Sequence, residues 1–147
     1  MPPKRFKYRL ELVLELRKRK EEQEQEKYLK LVNEIDRLDR QIEEVRDEQR
    51  RVFRECEIKM AENRALFDWR LEMNYGCYLE DVVRRLITFR AEREKARLQQ
   101  REILLDASKK KKVLESLKDK ALQEFMTDLN IQEQQELDEW ASACFGS

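Results

Sequence analysis

Few residues in this chain have side chains fit for catalysis. There is no histidine, so general acid–base work would fall to carboxylates or to a lysine held in a desolvated pocket. The acid pairs in "ERE" (92–94) and "DEW" (138–140) stand among 32 acidic and 32 basic residues. On such a background they read as solvated faces. Cys56, Cys77 and Cys144 form no CxxC pair, which removes the common zinc signatures and any disulfide framework. They read as three reduced thiols. Two glycines in the whole chain leave nothing to build a phosphate-cradling loop. No enzyme, cofactor or metal is expected.

The remaining chemistry is that of contact. "KKKK", Lys109–Lys112, inside a helix would send its ammonium groups around the circumference, and no aromatic stacking partner accompanies it. A solvated face is the better reading, and no nucleic-acid partner is expected. "RKRK", Arg17–Lys20, follows Lys4, Arg5, Lys7 and Arg9. It suits either a contact with an acidic protein surface or a plain solvated face. Phe67, Trp69, Tyr75 and Tyr78 crowd the middle of the chain, and Trp140 and Phe145 lie near its end. Such aromatics serve either as exposed anchors for a partner or as plugs packed on one another.

The elements that carry these residues follow from composition. Of 147 residues, 44% are charged, and two glycines and two prolines supply too little turn material for a rounded domain. Long helices or disorder remain, and regularly spaced apolar residues select helices. Tyr28, Leu31, Ile35, Leu38, Ile42, Val45, Gln49, Val52 and Cys56 alternate steps of three and four, a coiled-coil seam. Extended backwards, the register reaches Leu14 and Leu10 but first meets Glu24, Glu21 and Arg17; extended forwards, it meets Lys59 and Asn63, then Leu66. Met60 and Phe67 sit beside the stripe, so the register drifts there. A second seam runs through Leu79, Val82, Leu86, Phe89, Arg93, Ala96, Gln100, Ile103, Ala107, Lys110, Leu114, Leu117 and Ala121. A further apolar line, Val83, Ile87, Leu98 and Leu105, marks extra exposed or shared surface.

Between the seams, Asn74 and Gly76 are residue types that tolerate the left-handed conformation of a helix C-cap. Glu80 and Asp81 then suit the first turn of a following helix. The expected fold is all-α, one long two-helix antiparallel coiled-coil hairpin with its turn near Asn74–Cys77, arms over 6–73 and 78–142, and an elbow over 74–77. The alternative is a helix running unbroken through Gly76 at a cost of about 1 kcal/mol. An elbow at Gly76 sets Ile35 opposite Leu117, Leu38 opposite Leu114 and Val45 opposite Ala107. It also lays the basic start against the acidic finish, Glu133 to Glu139. The opening "MPPKRFKYRLELVLEL" alternates charge with apolar residues, so no signal peptide is expected. No run has the roughly 18 apolar residues of a membrane span, and a cytoplasmic protein with no direct membrane insertion is expected.

With these features the chain resembles the FliJ family, the stalk component of the flagellar type III export apparatus. The resemblance rests on "FKYRLELVLELRKRKEEQ", "YLEDVVRRLI", "KKKKVLESLKDKALQEF" and "EQQELDEWA". The opening Phe6, Leu10, Leu14, Arg17 and Glu21 follows the family's pattern. So does the ending Leu137, Asp138, Glu139 and Ala141, which Trp140 interrupts. The resemblance implies a stalk like the central shaft of a rotary ATPase. Its partners would be a hexameric export ATPase (FliI-like), a membrane export gate protein (FlhA-like) and export chaperones. Carried over, the ATPase contact falls on Arg5, Arg9, Arg17, Lys18, Arg19, Lys20, Asp138 and Glu139. The gate contact falls on Phe67, Trp69, Tyr75, Tyr78, Val82 and Phe89. The related injectisome stalk (YscO-like) and a generic coiled-coil tether are the alternatives.

Overall fold

Two helices carry the described chain: α1, Glu11–Ala61, and α2, Leu66–Phe145. The computed structural model describes residues 5–62 and 66–146, with the side chains of 66–68 outside the description. Glu11 stands in the first turn of α1 and Lys59 in its last, each at the end where the helix dipole favours its charge. The helices pack against each other as the expected all-α hairpin.

The core divides into two units, one of Gln25–Ile103 and one joining Met1–Glu24 to Leu104–Ser147. In the first, α1 buries Ile35, Leu38, Ile42, Val52 and Cys56, and α2 buries Leu79 and Val83. Tyr28, Leu31, Val45 and Gln49 are half-buried, so the seam expected for α1 is the one that forms. In the second unit, Leu14 and Ala107 are buried, with Leu10, Leu114 and Ala121 half-buried beside them. The Phe6 ring packs on Phe125 with centroids 5.6 Å apart. The Tyr8 hydroxyl donates to the Leu114 carbonyl at 3.2 Å. Full burial of a Leu or Val side chain stabilises by roughly 1.5–3 kcal/mol, and a two-helix seam offers few such sites.

The seam of α2 differs from expectation at every second step. Leu79, Leu86, Arg93, Gln100, Ala107, Leu114 and Ala121 face α1 as expected. The intervening positions are Val83, Arg90, Arg97, Leu104, Lys111 and Lys118. Phe89, Ile103, Lys110 and Leu117 are exposed, and Val82 and Ala96 are only half-buried. The cause is cross-helix pairing. Arg90 pairs with Asp39, Lys111 with Glu21 at 2.8 Å, and Lys118 with Glu11 at 2.8 Å. Arg97 donates to the Tyr28 hydroxyl at 3.0 Å. Long cationic side chains lay their stems along the seam and carry their heads to an acceptor. A search for apolar residues passes over them.

The reversal is also displaced. Residues 74–77 lie inside α2, and the chain turns between Ala61 and Leu66. Lys59–Glu72 at 2.8 Å, Gln49–Glu80 at 2.8 Å and Asp39–Arg90 all straddle that segment symmetrically. Ile35 and Leu38 therefore lie along the Arg90–Arg93 stretch, as the Glu34–Arg93 pair at 3.3 Å shows, and not opposite Leu117 and Leu114. Asn63 falls outside the described residues. Gly76 has a different use from the one expected. A Cβ there would come within 2.6 Å of Cε1 of Phe53, so the missing side chain admits the α1 ring against the α2 backbone.

Two stability predictions follow from this packing. Leu38→Asp places an unpaired charge at a buried seam position and should cost roughly 3–5 kcal/mol, read from urea denaturation. An unchanged midpoint would disprove the seam. Gly76→Ala should gain about 1 kcal/mol of helix propensity in a Phe53→Ala background, and clearly less in the parent, where the ring must move. Equal effects in both backgrounds would show that the Phe53 contact does not constrain residue 76.

Candidate partner-binding surfaces

The basic end and the acidic end do not meet. Glu11–Lys118 and Glu21–Lys111 bracket the "RKRK" segment, which therefore runs beside residues 111–118 of α2. Arg5, Arg9, Lys18, Arg19 and Lys20 are exposed, while Arg17 falls in the seam and is half-buried. Lys20 pairs with Glu24 within its own helix at 2.8 Å. Lys109 and Lys112 add exposed positive charge to the same unit. Asp138 and Glu139 sit 27 and 28 positions beyond Lys111, roughly 40 Å along the helix axis. The expectation that these charges lie together fails because α2 outruns α1. With Phe6 packed on Phe125, all of residues 131–140 are exposed.

Glu21 and Lys111 hold the basic segment in place. Donation from Lys111 is the largest effect on the Glu21 carboxyl and brings it below the usual carboxylate range, against the opposing effect of burial. The same contact raises the Lys111 pKa. Both side chains are about one-fifth exposed, so solvent screens the pair only in part.

The second surface lies on α2. Tyr75, Tyr78, Val82 and Phe89 are spaced by three, four and seven and so share one helix face. Tyr78 is 59% exposed, Phe89 43% and Tyr75 43%, while Val82 is half-buried. The Tyr75 and Tyr78 rings stack at 6.4 Å with planes 21° apart. Arg93 holds its guanidinium 5.0 Å from the Phe89 ring centroid, a cation–π contact that fixes the ring's place. Because the seam takes Val83 and Arg90, this face stays open. Leu71, exposed and four residues before Tyr75, belongs to the same face. Sequence reasoning missed it, although the four-residue step was there to read.

The two other residues of that expected surface are Trp69 and Phe67. Trp69 is half-buried, and its carbonyl accepts from the Cys56 thiol at 3.6 Å. The Phe67 side chain lies outside the described residues. No group of three His, Cys, Asp or Glu side chains is placed to hold a metal among the described residues. No described helix is long and apolar enough to cross a membrane.

One pH prediction tests the basic end. A carboxylate with a lowered folded-state pKa contributes stability above its unfolded value and loses it as pH falls through the folded one. Lys111→Met should therefore move Glu21 titration up towards the ordinary carboxylate range and flatten part of the acid-side loss of stability. Carboxyl NMR titration reads the first effect, and melting at several pH values reads the second. A Glu21 pKa that stays put would show that Lys111 does not set it.

Comparison with curated proteins and with solved structures gives no match. The family model described as "Flagellar FliJ protein" matches residues 6–147, nearly the whole chain. The chain therefore belongs to the FliJ family, a component of the flagellar protein export apparatus.

Proposed function

We propose that this chain is the stalk that links a hexameric export ATPase to the membrane export gate, working at the cytoplasmic face of the membrane and escorting substrate–chaperone complexes. The observation that carries this reading is the open face Leu71–Tyr75–Tyr78–Val82–Phe89 on α2. A row of aromatics and aliphatics on one face of a charge-rich helix, with Leu71, Tyr75, Tyr78 and Phe89 exposed, is the kind of surface that a partner covers. The gate contact is assigned to this row, together with the expected residues Trp69 and Phe67.

The ATPase contact is assigned to Arg5, Arg9, Arg17, Lys18, Arg19 and Lys20, which share a unit with the exposed tail bearing Asp138 and Glu139. Tail and basic segment are separate along the helix axis, so they would engage different levels of the ring. The protein would promote ring assembly or turnover and hydrolyse no ATP itself.

The test is a pair of pull-downs with the cognate ATPase and the soluble domain of the gate. Tyr78→Ala with Phe89→Ala should abolish gate capture and leave ATPase capture intact. Reversing Arg17, Lys18, Arg19 and Lys20 to Glu should do the opposite, and parent ATPase binding should weaken as salt rises. Circular dichroism of both variants should match the parent. Loss of both partners from either variant would refute two separate contacts, and failure of the parent to bind either would refute the stalk.

A further inference from the structure

The outward side of α2 carries a second heptad line. Lys110, Leu117, Glu124, Ile131 and Asp138 recur every seven residues, and every one of them is exposed. Leu117 is 45% exposed and Ile131 51%, and Val113, one turn from Leu117, is 60% exposed. Lys120 joins two shallow grooves along this side, one running to Lys109 and the other to Asp128. The charges are unevenly spread: Lys109–Lys112, Lys118 and Lys120 stand in the part up to Lys120 with only Glu115 and Asp119 among them, and the chain beyond it holds six acids and no Lys or Arg. α1 does not cover this line, because the α2 seam uses Leu114, Lys118 and Ala121.

A line with basic and apolar residues on one side of Glu124 and acidic and apolar residues on the other is complementary to itself run backwards. We infer that two copies of this chain pair through it, their α2 helices antiparallel about a two-fold axis at Glu124. Lys110 then meets Asp138 of the second copy, and Leu117 meets its Ile131. Lys120 comes level with the second copy's Asp128. Each contact occurs twice, as an isologous interface requires. The paired stretch runs through about 40 Å of helix. Parallel pairing is excluded by charge, since it sets Lys110 on Lys110 and Asp138 on Asp138. Only the two Glu124 side chains meet a like charge in the antiparallel arrangement, and a Lys120 lies one turn away from each.

The inference shares Asp138 with the proposed ATPase contact but rests on the charge pattern of α2 alone, and its test needs neither proposed partner. Sedimentation velocity of the full chain, in reducing buffer because Cys77 and Cys144 are exposed, should show concentration-dependent dimers at low salt that dissociate as salt rises. Lys110→Glu with Lys120→Glu should weaken self-association roughly tenfold or more, and so should Asp128→Lys with Asp138→Lys. Mixing the two variants should restore a dimer, because one then presents acids at 110, 120, 128 and 138 and the other presents bases at the same four positions. Glu124→Gln should strengthen the parent dimer. All these positions are exposed, so helicity should be unchanged. A parent that remains monomeric at low salt overturns the inference. So does association that either reversal leaves intact, or a mixture that fails to restore the dimer.

Discussion

The hairpin depends on cations placed where a coiled coil usually puts leucine. Arg90, Arg97, Lys111 and Lys118 occupy alternate seam positions of α2 and reach Asp39, Tyr28, Glu21 and Glu11 across the gap. Each exposed or half-exposed pair is worth little by itself. What the row supplies is alignment: sliding one helix by a turn would leave every head group facing the wrong neighbour. Buried Leu, Ile and Val side chains provide the driving force, and they would tolerate several registers. The ionic row selects one. Because the cations fill the seam, Phe89, Ile103 and Leu117 are left outside it, so the same choice creates both exposed faces of α2.

Gly76 shows how one residue type serves two different ends. The left-handed freedom of glycine would make it a hinge, whereas its lack of a side chain makes it a landing site. Here the second use holds, since Phe53 lies against its backbone. The aromatic row therefore sits on a continuous helix, and its members keep fixed spacing. Stacking of Tyr75 on Tyr78 and of Arg93 on Phe89 holds the rings before any partner arrives, which reduces the entropy lost on binding.

Much of this was legible in the residues. Scarce glycine and proline implied long helices, and the three-four spacing from Tyr28 to Cys56 located the α1 seam. The turn was not legible by composition, because the segment between Ala61 and Leu66 contains neither glycine nor proline. Its trace was the failure of the apolar register from Lys59 to Leu66, which also fits a drifting helix. The α2 seam misled for a physical reason. Hydropathy ranks Phe89 above Arg90 and Leu117 above Lys118, while the chain ranks them by whether an acid stands opposite. Asp39 and Glu11 can be put opposite only once the turn is known, so one error produced the other. The open face on α2 was named from its aromatics, and the seam's true register explains why it is open.

The stretch of α2 beyond Phe125 has a thermodynamic consequence of its own. A free peptide of that length would be marginally helical in water, because closing a first hydrogen-bonded turn costs a factor of about a thousand. Here the first turns are already closed by the paired part of α2, and the tail only propagates outward from them. Its helix is therefore inherited from the paired part, each added residue contributing a near-neutral step. The apolar core is confined to the paired part, so residues can change along the tail with little effect on whether the rest folds. The tail is thus the region where sequence can diverge to suit a partner at least cost to the hairpin.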